Sequence, residues 1–474
     1  MGVAAAQSLP TGPARPAALT RALAMPPPAG RTNAAASGLP FLQQQVLAAY
    51  RAGRLQDALN LCRQILKQVP DRADVLSFAG MIALEQGEAV EAADLYGRAV
   101  RHRPDFVEAY YNLGNALMKL GRNEAAVAAY RRAAELKPDL VAAHNNLGNA
   151  LHALGRNEEA AEAYRRVLRL APDSPEVERN LGIALERAGV RGQAIDAYRA
   201  VIARRPAWLL AHSNLANALL SAGEARAAVD ACDRWLELAP GNIEALSIKV
   251  LALYEAGERD AAGYLLDFNL VHRHKIEPPA GYGSLREFNQ ALVDFTLTHP
   301  TLHVPDAADP HYHHPALAIT KSFFGPSDGP VAAFEATVRQ AVSDYIAAIP
   351  PGSAHPFLAH PPKQWEFASW AAVLHFQGNL TPHIHLDGYL SGVYYPQLPE
   401  IVGAPEHGQA GFFELGPPPE QFPLTAMPDS LAVKPEEGLM ILFPSYFYHR
   451  TIPFESTQRR ISIAFDAVPR AQAR

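Results

Sequence analysis

Residues 381–395, TPHIHLDGYLSGVYY, combine three side chains that can bind a metal with the start of an apolar strand. His383, His385 and Asp387 alternate at a spacing of two. On an extended backbone, alternate side chains point to the same face, so all three can be aimed at one point. The stretch therefore predicts a β-rich domain with a metal site.

A second part of the same site follows about sixty residues later. Residues 439–449, LMILFPSYFYH, form an apolar strand that ends in His449, and another strand is predicted from Arg460 to Phe465. Two histidines and a carboxylate on one side of a metal, with open positions left over, form the site of non-haem Fe(II) oxygenases. Arg460 and Ser462 share one strand face and can hold a dicarboxylic cosubstrate.

These motifs resemble those of the iron(II)/2-oxoglutarate-dependent dioxygenases, in a bacterial branch with an H-x-H-x4-LSGVYY signature. The resemblance covers residues 285–469 and includes PEEGLMILFPS from Pro435 and RISIAFD from Arg460. It implies hydroxylation of a C–H bond, with Fe(II) as cofactor and 2-oxoglutarate and O2 as cosubstrates.

The choice of metal ligands has two alternatives. The familiar arrangement of the superfamily, His-x-Asp and a distant His, is satisfied by His385, Asp387 and His449. We prefer this set because an anionic ligand offsets the charge of iron in a buried pocket. His383 is the alternate ligand, or a side chain that supports the ligands.

Strand alternation indicates which of the candidate residues can contact the cosubstrate. Counting by twos places Arg460 and Ser462 on the face with small side chains, and Arg459 on the other face, so Arg460 is preferred. Tyr394 or Tyr395 reaches in from a neighbouring strand, and we favour Tyr395. For both tyrosines, core packing is the competing interpretation.

A repeat precedes these motifs. Prolines recur every 34 residues from Pro70 to Pro240, and glycines do so from Gly53 to Gly257. A 34-residue period with a glycine between two helices and a proline after the second is the tetratricopeptide pattern. We predict about seven units over residues 39–273, with degenerate first and last units.

Asparagines recur within the repeats at the same spacing, at Asn112, Asn146, Asn180 and Asn214. In stacked repeats, equivalent positions line one surface, where amide side chains can pair with the backbone of an extended peptide. The arrangement resembles the asparagine ladder of the O-linked N-acetylglucosamine transferase superhelix. The competing interpretation is that these asparagines satisfy local helix contacts.

The predicted fold is α + β and multidomain, with a solenoid followed by a double-stranded β-helix, or jelly roll. Residues 1–38 are Ala/Pro-rich and predict a disordered tail, residues 274–284 a linker, and residues 285–474 the jelly-roll domain. The ligands all follow the linker, so the repeats are expected to serve substrate choice and not the chemistry.

Composition narrows the functional classes. A net charge of −6 offers no basic surface for nucleic acid, and no apolar run is long enough to span a membrane. Only two cysteines occur, Cys62 and Cys232, which favours a reducing compartment and a cytoplasmic location. The oligomeric state is left open.

The predicted function is an Fe(II)/2-oxoglutarate-dependent hydroxylase whose repeats recruit or orient a macromolecule, with protein or peptide favoured. A repeat scaffold with a catalytically inactive barrel is one alternative. Hydroxylation of a small molecule is another. A glycosyltransferase is disfavoured because the last two hundred residues lack a nucleotide-binding α/β pattern.

Overall fold

The computed structural model describes residues 39–305, 317–326, 328–374, 377–420, 422 and 424–470. The predicted tail, residues 1–38, lies outside the described residues. The described residues divide into two compact units, the first ending at Pro206 and the second beginning at Ala207. The division therefore lies before the linker predicted at residues 274–284.

The first unit is built of helix pairs, as the 34-residue period predicts. Its described helices are α1 (Leu39–Arg51), α2 (Leu55–Gln68), α3 (Ala73–Glu85), α4 (Ala89–His102), α5 (Val107–Lys119), α6 (Asn123–Leu136), α7 (Val141–Ala153), α8 (Asn157–Leu170), α9 (Pro175–Arg187) and α10 (Arg191–Arg204). The turn glycine of each pair has a positive φ, for example 68° at Gly121, which a side chain would disfavour.

Small residues let the paired helices approach closely. A Cβ atom on Gly114 of α5 would lie 2.5 Å from the ring of Tyr130 on α6, and Gly148 meets Tyr164 in the same way at 2.6 Å. Both tyrosines are at most 2% exposed. The glycine-tyrosine contact therefore recurs with the repeat and fixes how each pair packs.

The second unit begins with the remaining repeat helices and continues into the β-rich domain. The helices are α11 (Leu209–Ser221), α12 (Ala225–Leu238), α13 (Ile243–Glu255) and α14 (Arg259–Leu265), followed by a 3-10 turn (Phe268–Leu270). Two later helices follow, α15 (Leu285–Leu297) and α16 (Gly329–Ala347).

Ten strands form two antiparallel sheets among the described residues. They are β1 (His272–Lys275), β2 (Leu317–Ile319), β3 (Trp365–Leu374), β4 (Gln377–His383), β5 (Leu390–Gln397), β6 (Phe413–Leu415), β7 (Leu431–Val433), β8 (Leu439–Pro444), β9 (His449–Glu455) and β10 (Arg460–Pro469). The large sheet has the order β1-β8-β5-β10-β3-β2, and the small sheet β4-β9-β6-β7. This is the predicted jelly-roll-like domain.

Alternation along the strands separates a helix-covered face from an interior face. Val373 and Ile461 pack with Val293 of α15. Ala372 and Leu374 instead pack with Phe454 of β9, in the small sheet. Odd-numbered residues of β3 therefore face the helices, and even-numbered residues face the interior where the site lies.

Two differences from the predicted strands affect the site. Residues 383–387 were predicted to be extended, but β4 ends at His383 and residues 386 and 387 form a turn. The strand from His449 to Glu455 was not predicted. No helix among the described residues is long and apolar enough to cross a membrane.

Candidate metal centre

Three histidines meet at the facing ends of β4 and β9. His383 is the register partner of His449, and His385 follows two residues after His383. One ring nitrogen from each lies within 4.8 Å of the others, and the ring centroids of His383 and His449 are 4.3 Å apart. Three imidazoles this close are a ligand set for a transition metal.

Hydrogen bonds orient all three rings through the same nitrogen. The Nδ1 atom of His383 bonds the Thr381 carbonyl at 2.8 Å, and that of His449 bonds the Phe447 carbonyl at 3.1 Å. The Nδ1 atom of His385 bonds Oδ1 of Asp466 at 2.6 Å. With Nδ1 engaged, Nε2 is the nitrogen through which each ring would bind a metal.

Burial keeps His449 neutral. Desolvation lowers the pKa of His449 well below its usual value, and the neighbouring rings of His383 and His385 lower it further. A neutral imidazole is the form that binds metal, because a protonated ring has no lone pair to donate.

The structure does not bring Asp387 to this cluster. Asp387 is exposed, and it lies in the turn after β4, where the alternation of an extended strand no longer applies. The set that comes together is His383, His385 and His449, instead of the preferred set with Asp387. His383, the alternate ligand, thus takes a place in the cluster.

The carboxylate beside the cluster is Asp466, which the sequence reasoning missed. It is 6% exposed and also accepts a hydrogen bond of 2.7 Å from the Ser391 hydroxyl, which in turn lies 2.8 Å from the Ser445 hydroxyl. The signal was present: counting by twos from Arg460 along β10 reaches Asp466 on the same face.

Arg460 forms a second polar site on the interior face. It is 2% exposed, whereas Arg459 is exposed, as the alternation predicts. Its Nε and Nη1 atoms are buried and have no hydrogen-bond partner among the described residues. Burial lowers the pKa of Arg460 from its usual value. A buried guanidinium without a carboxylate needs an anion to offset its desolvation.

Two further unpartnered groups lie on β5 next to β10. The hydroxyl of Tyr395 and Oε1 of Gln397 are buried without a hydrogen-bond partner among the described residues. The ring of Tyr395 has its centroid 5.2 Å from Cζ of Arg460, and Gln397 is the register partner of Ile461. Gln397 was not predicted. The pairing of β5 with β10 shifts register between Ile461 and Ile463, and Ile461 packs against α15, so alternation does not place Gln397 on the face of Arg460.

The remaining predicted cosubstrate residues fall on both faces. Ser462 is 7% exposed and faces the interior, opposite Ala372 of β3. Tyr394 points the other way, where its hydroxyl bonds Asn289 of α15 and its ring packs on Phe334. Tyr394 is therefore a core residue, and Tyr395 is the one beside Arg460.

The donor sets fit the implied groups. Three imidazole nitrogens suit iron among other transition metals, and the unpartnered guanidinium suits a carboxylate of 2-oxoglutarate. Aromatic rings bound the metal end: the centroid of Phe443 is 4.8 Å from that of His449, and Trp370 is 5.2 Å from His385. Of the three histidines, His449 is buried, and His383 and His385 are half-buried.

The asparagines of the first unit occupy two environments. Asn112 and Asn146 are 1% and 6% exposed, and they line a cavity of about 400 Å³ together with Asn115 and Asn149. Asn180 belongs to α9 and is half-buried. In the second unit, Asn214 is half-buried and its Nδ2 atom lacks a partner among the described residues.

Local contacts account for part of this pattern. The Tyr130 hydroxyl donates to Oδ1 of Asn115 at 2.7 Å, and the Tyr164 hydroxyl donates to Oδ1 of Asn149 at 2.8 Å. Nδ2 of Asn146 donates to Oδ1 of Asn115 at 3.0 Å. These amides therefore brace the helices whether or not a peptide binds.

Two known protein families match separate parts of the chain. The family described as "Putative 2OG-Fe(II) oxygenase" matches residues 368–466. The tetratricopeptide repeat family matches residues 44–105, 91–141, 111–175 and 179–243. The chain thus carries tetratricopeptide repeats in its N-terminal part and a domain of that oxygenase family in its C-terminal part.

Several solved structures match part of the chain. A crystal structure of MamA is 23% identical, covering 35% of this chain and 91% of that one, with a TM-score of 0.34. MamA 41-end from Desulfovibrio magneticus RS-1 is 22% identical over 35% and 94%, with a TM-score of 0.33. YrrB, titled a TPR protein with an unusual peptide-binding site, is 20% identical over 37% and 90%, with a TM-score of 0.33. No curated protein matches the chain.

Proposed function

We propose that this chain is an Fe(II)- and 2-oxoglutarate-dependent hydroxylase, with His383, His385 and His449 holding the iron. The observation that carries the proposal is a pair of sites in one barrel interior: three clustered imidazoles, and a buried Arg460 with no carboxylate bound to it among the described residues. Intact residues at both sites argue against the alternative of an inactive barrel.

The bound groups supply the oxidation: iron with 2-oxoglutarate and O2 hydroxylates a C–H bond and releases succinate and carbon dioxide. The chain's own residues do the positioning. Arg460 clamps the distal carboxylate of 2-oxoglutarate, with Tyr395 and Ser462 as further hydrogen-bond partners. Asp466 holds His385 in the tautomer that presents Nε2.

Metal binding tests the ligand set. We expect His449→Ala and His383→Ala to abolish retention of Fe(II), because each removes one of three ligands. Asp387→Ala serves as the matched control and should retain iron and turn over 2-oxoglutarate to succinate. Loss of iron in Asp387→Ala with retention in His383→Ala would restore the aspartate to the ligand set. Unchanged iron in His449→Ala would refute the metal centre.

The substrate of this proposed hydroxylase is a protein or peptide that the repeats bind, and the cavity of the first unit supports this. Tyr96 and Asn112 line that cavity, and the Tyr96 hydroxyl and Nδ2 of Asn112 are buried without a partner among the described residues. Met81 stands where the next repeats have Asn115 and Asn149, so Tyr96 lacks the amide that partners Tyr130 and Tyr164.

Two unpartnered groups beside Met81, Leu84 and Met118 suit an extended peptide, whose carbonyl groups accept hydrogen bonds while an apolar side chain enters between them. We expect peptides selected from a random library by the full-length chain to bind at least several-fold more weakly to Tyr96→Phe and Asn112→Ala. Tyr164→Phe, whose hydroxyl already has a partner, is the control.

Equal peptide binding by all of these variants would show that the peptide does not bind in this cavity. Selection of no peptide, together with hydroxylation of a small metabolite, would favour the small-molecule alternative. Asn180→Ala and Asn214→Ala extend the test along the predicted ladder. The cytoplasm is the proposed location, supported by the two buried, unpaired cysteines, Cys62 and Cys232.

A further inference from the structure

The turn between β8 and β9, residues 445–448, lies in the second unit between the metal centre and the last repeat helices. Its residues are Ser445, Tyr446, Phe447 and Tyr448, with exposures of 0%, 1%, 0% and 9%. The turn leads directly into His449. A fully buried turn that precedes a candidate ligand is fixed by its contacts on both sides.

On the metal side, the turn holds two of the three histidines. The carbonyl of Phe447 accepts the hydrogen bond from Nδ1 of His449. The carbonyl of Ser445 accepts a bond of 3.3 Å from the backbone N–H of His385, and the Ser445 hydroxyl lies 2.8 Å from that of Ser391, which bonds Asp466. A shift of the turn would therefore move His385 and His449 together.

On the repeat side, three side chains of the turn contact the end of the repeats. The hydroxyl of Tyr446 donates to the carbonyl of Leu265, the last residue of α14. The ring of Phe447 packs edge-on against Phe268, with centroids 6.1 Å apart. Burial raises the pKa of Tyr448, and the side chain of Ser247 on α13, which lies beside it, lowers that pKa in part.

We propose that α13, α14 and the following 3-10 turn position His385 and His449 for the metal, acting through residues 445–448. This inference rests on the proposed metal centre. Tyr446, Phe447 and Phe268 are positioning residues. By linkage, metal bound in the barrel must also stabilise the end of the repeats.

Under this proposal, the end of the repeats supports the metal centre, in addition to the substrate choice expected of the repeats. A chain starting near Gly283 would lose Leu265 and Phe268, and also β1, whose residues 272–275 pair with β8. That strand leads into the turn. The boundary that preserves these contacts is the one between Pro206 and Ala207.

The test uses the full-length chain with Co(II), which reports binding through its visible absorption, as the probe. Changes in residues that support metal ligands weaken metal binding by about 10–100-fold. We expect Phe268→Ala to weaken Co(II) binding about tenfold and Tyr446→Phe about fivefold. Tyr254→Phe is the control and should bind within about twofold of wild type, because Tyr254 of α13 bonds Asp429 outside the turn.

Hydrogen exchange gives a second readout that a purely structural role would not move. Co(II) should slow amide exchange in Arg259–Leu265 of the wild type, and Phe268→Ala should lose this protection while Tyr254→Phe keeps it. Phe268→Leu, which restores apolar volume, should recover part of the affinity. Tyr446→Phe removes only one hydroxyl group, so it still tests the proposal if Phe268→Ala does not fold.

The outcomes separate two failures. If the wild type binds no Co(II), the proposed metal centre itself fails. If the wild type binds but Phe268→Ala and Tyr446→Phe bind as tightly as Tyr254→Phe, with no protection of α14, the metal centre stands and the positioning role is refuted.

Discussion

Replacing Arg460 with methionine separates the cosubstrate pocket from the stability of the fold. Two buried nitrogens of Arg460 have no partner among the described residues, so a carboxylate of 2-oxoglutarate can take both. A hydrogen bond to a charged group contributes about 1.5–3 kcal/mol. Losing two such bonds costs about 3–6 kcal/mol, which weakens the affinity for 2-oxoglutarate by about two to four orders of magnitude.

The same substitution should leave the unliganded fold at least as stable. A buried charge without a counter-charge is costly, and replacing buried ionic groups by apolar side chains of similar volume is often neutral or stabilising, by up to about 4 kcal/mol. The flexible thioether of methionine also packs well against the rings of Tyr395 and Phe454, which flank the guanidinium. A loss of affinity together with unchanged or greater stability cannot come from unfolding.

Two measurements decide this prediction. Calorimetric titration of the Co(II)-loaded chain with 2-oxoglutarate gives the affinity, and thermal unfolding without ligands gives the stability. Arg459→Met is the matched control, because Arg459 is the preceding residue and exposed, and its affinity should stay within about twofold of wild type. Affinity of Arg460→Met within about threefold of wild type, or equal losses in both variants, would refute the pocket.

Two further predictions concern stability. Gly114→Ala should destabilise the first unit by about 1–3 kcal/mol, because the new Cβ would lie 2.5 Å from the Tyr130 ring. Gly192→Ala, with open space around the new Cβ, should stabilise it by about 0.5–1 kcal/mol. Chemical denaturation measures both changes in the free energy of unfolding, and changes of the same sign would contradict the packing. Burial lowers the pKa of His355, whose ring bonds the Tyr264 carbonyl at 3.0 Å and the Phe357 N–H at 3.2 Å. Below about pH 6.5 the unfolded chain binds more protons than the folded chain, so this contribution to stability is present above that pH and lost as the pH falls. His355→Gln should therefore reduce the pH dependence of the melting temperature between pH 5 and 7. An unchanged pH dependence would show that other histidines cause it.

The repeats and the class of the β-domain were predictable because their signals are periodic. A glycine and a proline every 34 residues mark helix ends, and the glycine position needs a positive φ that other residues resist. The period of two along β10 likewise predicted that Arg460 faces the interior and Arg459 faces outward. A periodic signal is reliable because the same residue type recurs at many equivalent positions.

The parts of the site that were missed depend on where a strand ends and on contacts between distant residues. The alternation that placed Asp387 beside His385 requires an extended backbone, but the chain turns after His383. Asp466 lies 81 residues from His385, and only the antiparallel pairing of β10 with β5, which sets Asp466 opposite Ser391, brings it near. The contact of Tyr446 with Leu265 spans 181 residues and has no local signal.

A carboxylate still offsets positive charge at the proposed metal centre, but it lies one hydrogen bond behind a ligand instead of on the metal. Iron brings two positive charges, 2-oxoglutarate two negative charges and Arg460 one positive charge, so three neutral imidazoles would leave the pocket with a net positive charge. The Asp466 carboxylate, bonded to Nδ1 of His385, supplies the missing negative charge behind the ligand instead of on the metal. An imidazole with a carboxylate behind it is a stronger donor, because the carboxylate stabilises the charge that the ring gives up to the metal. Asp466 therefore does for the proposed three-histidine centre what Asp387 was expected to do directly.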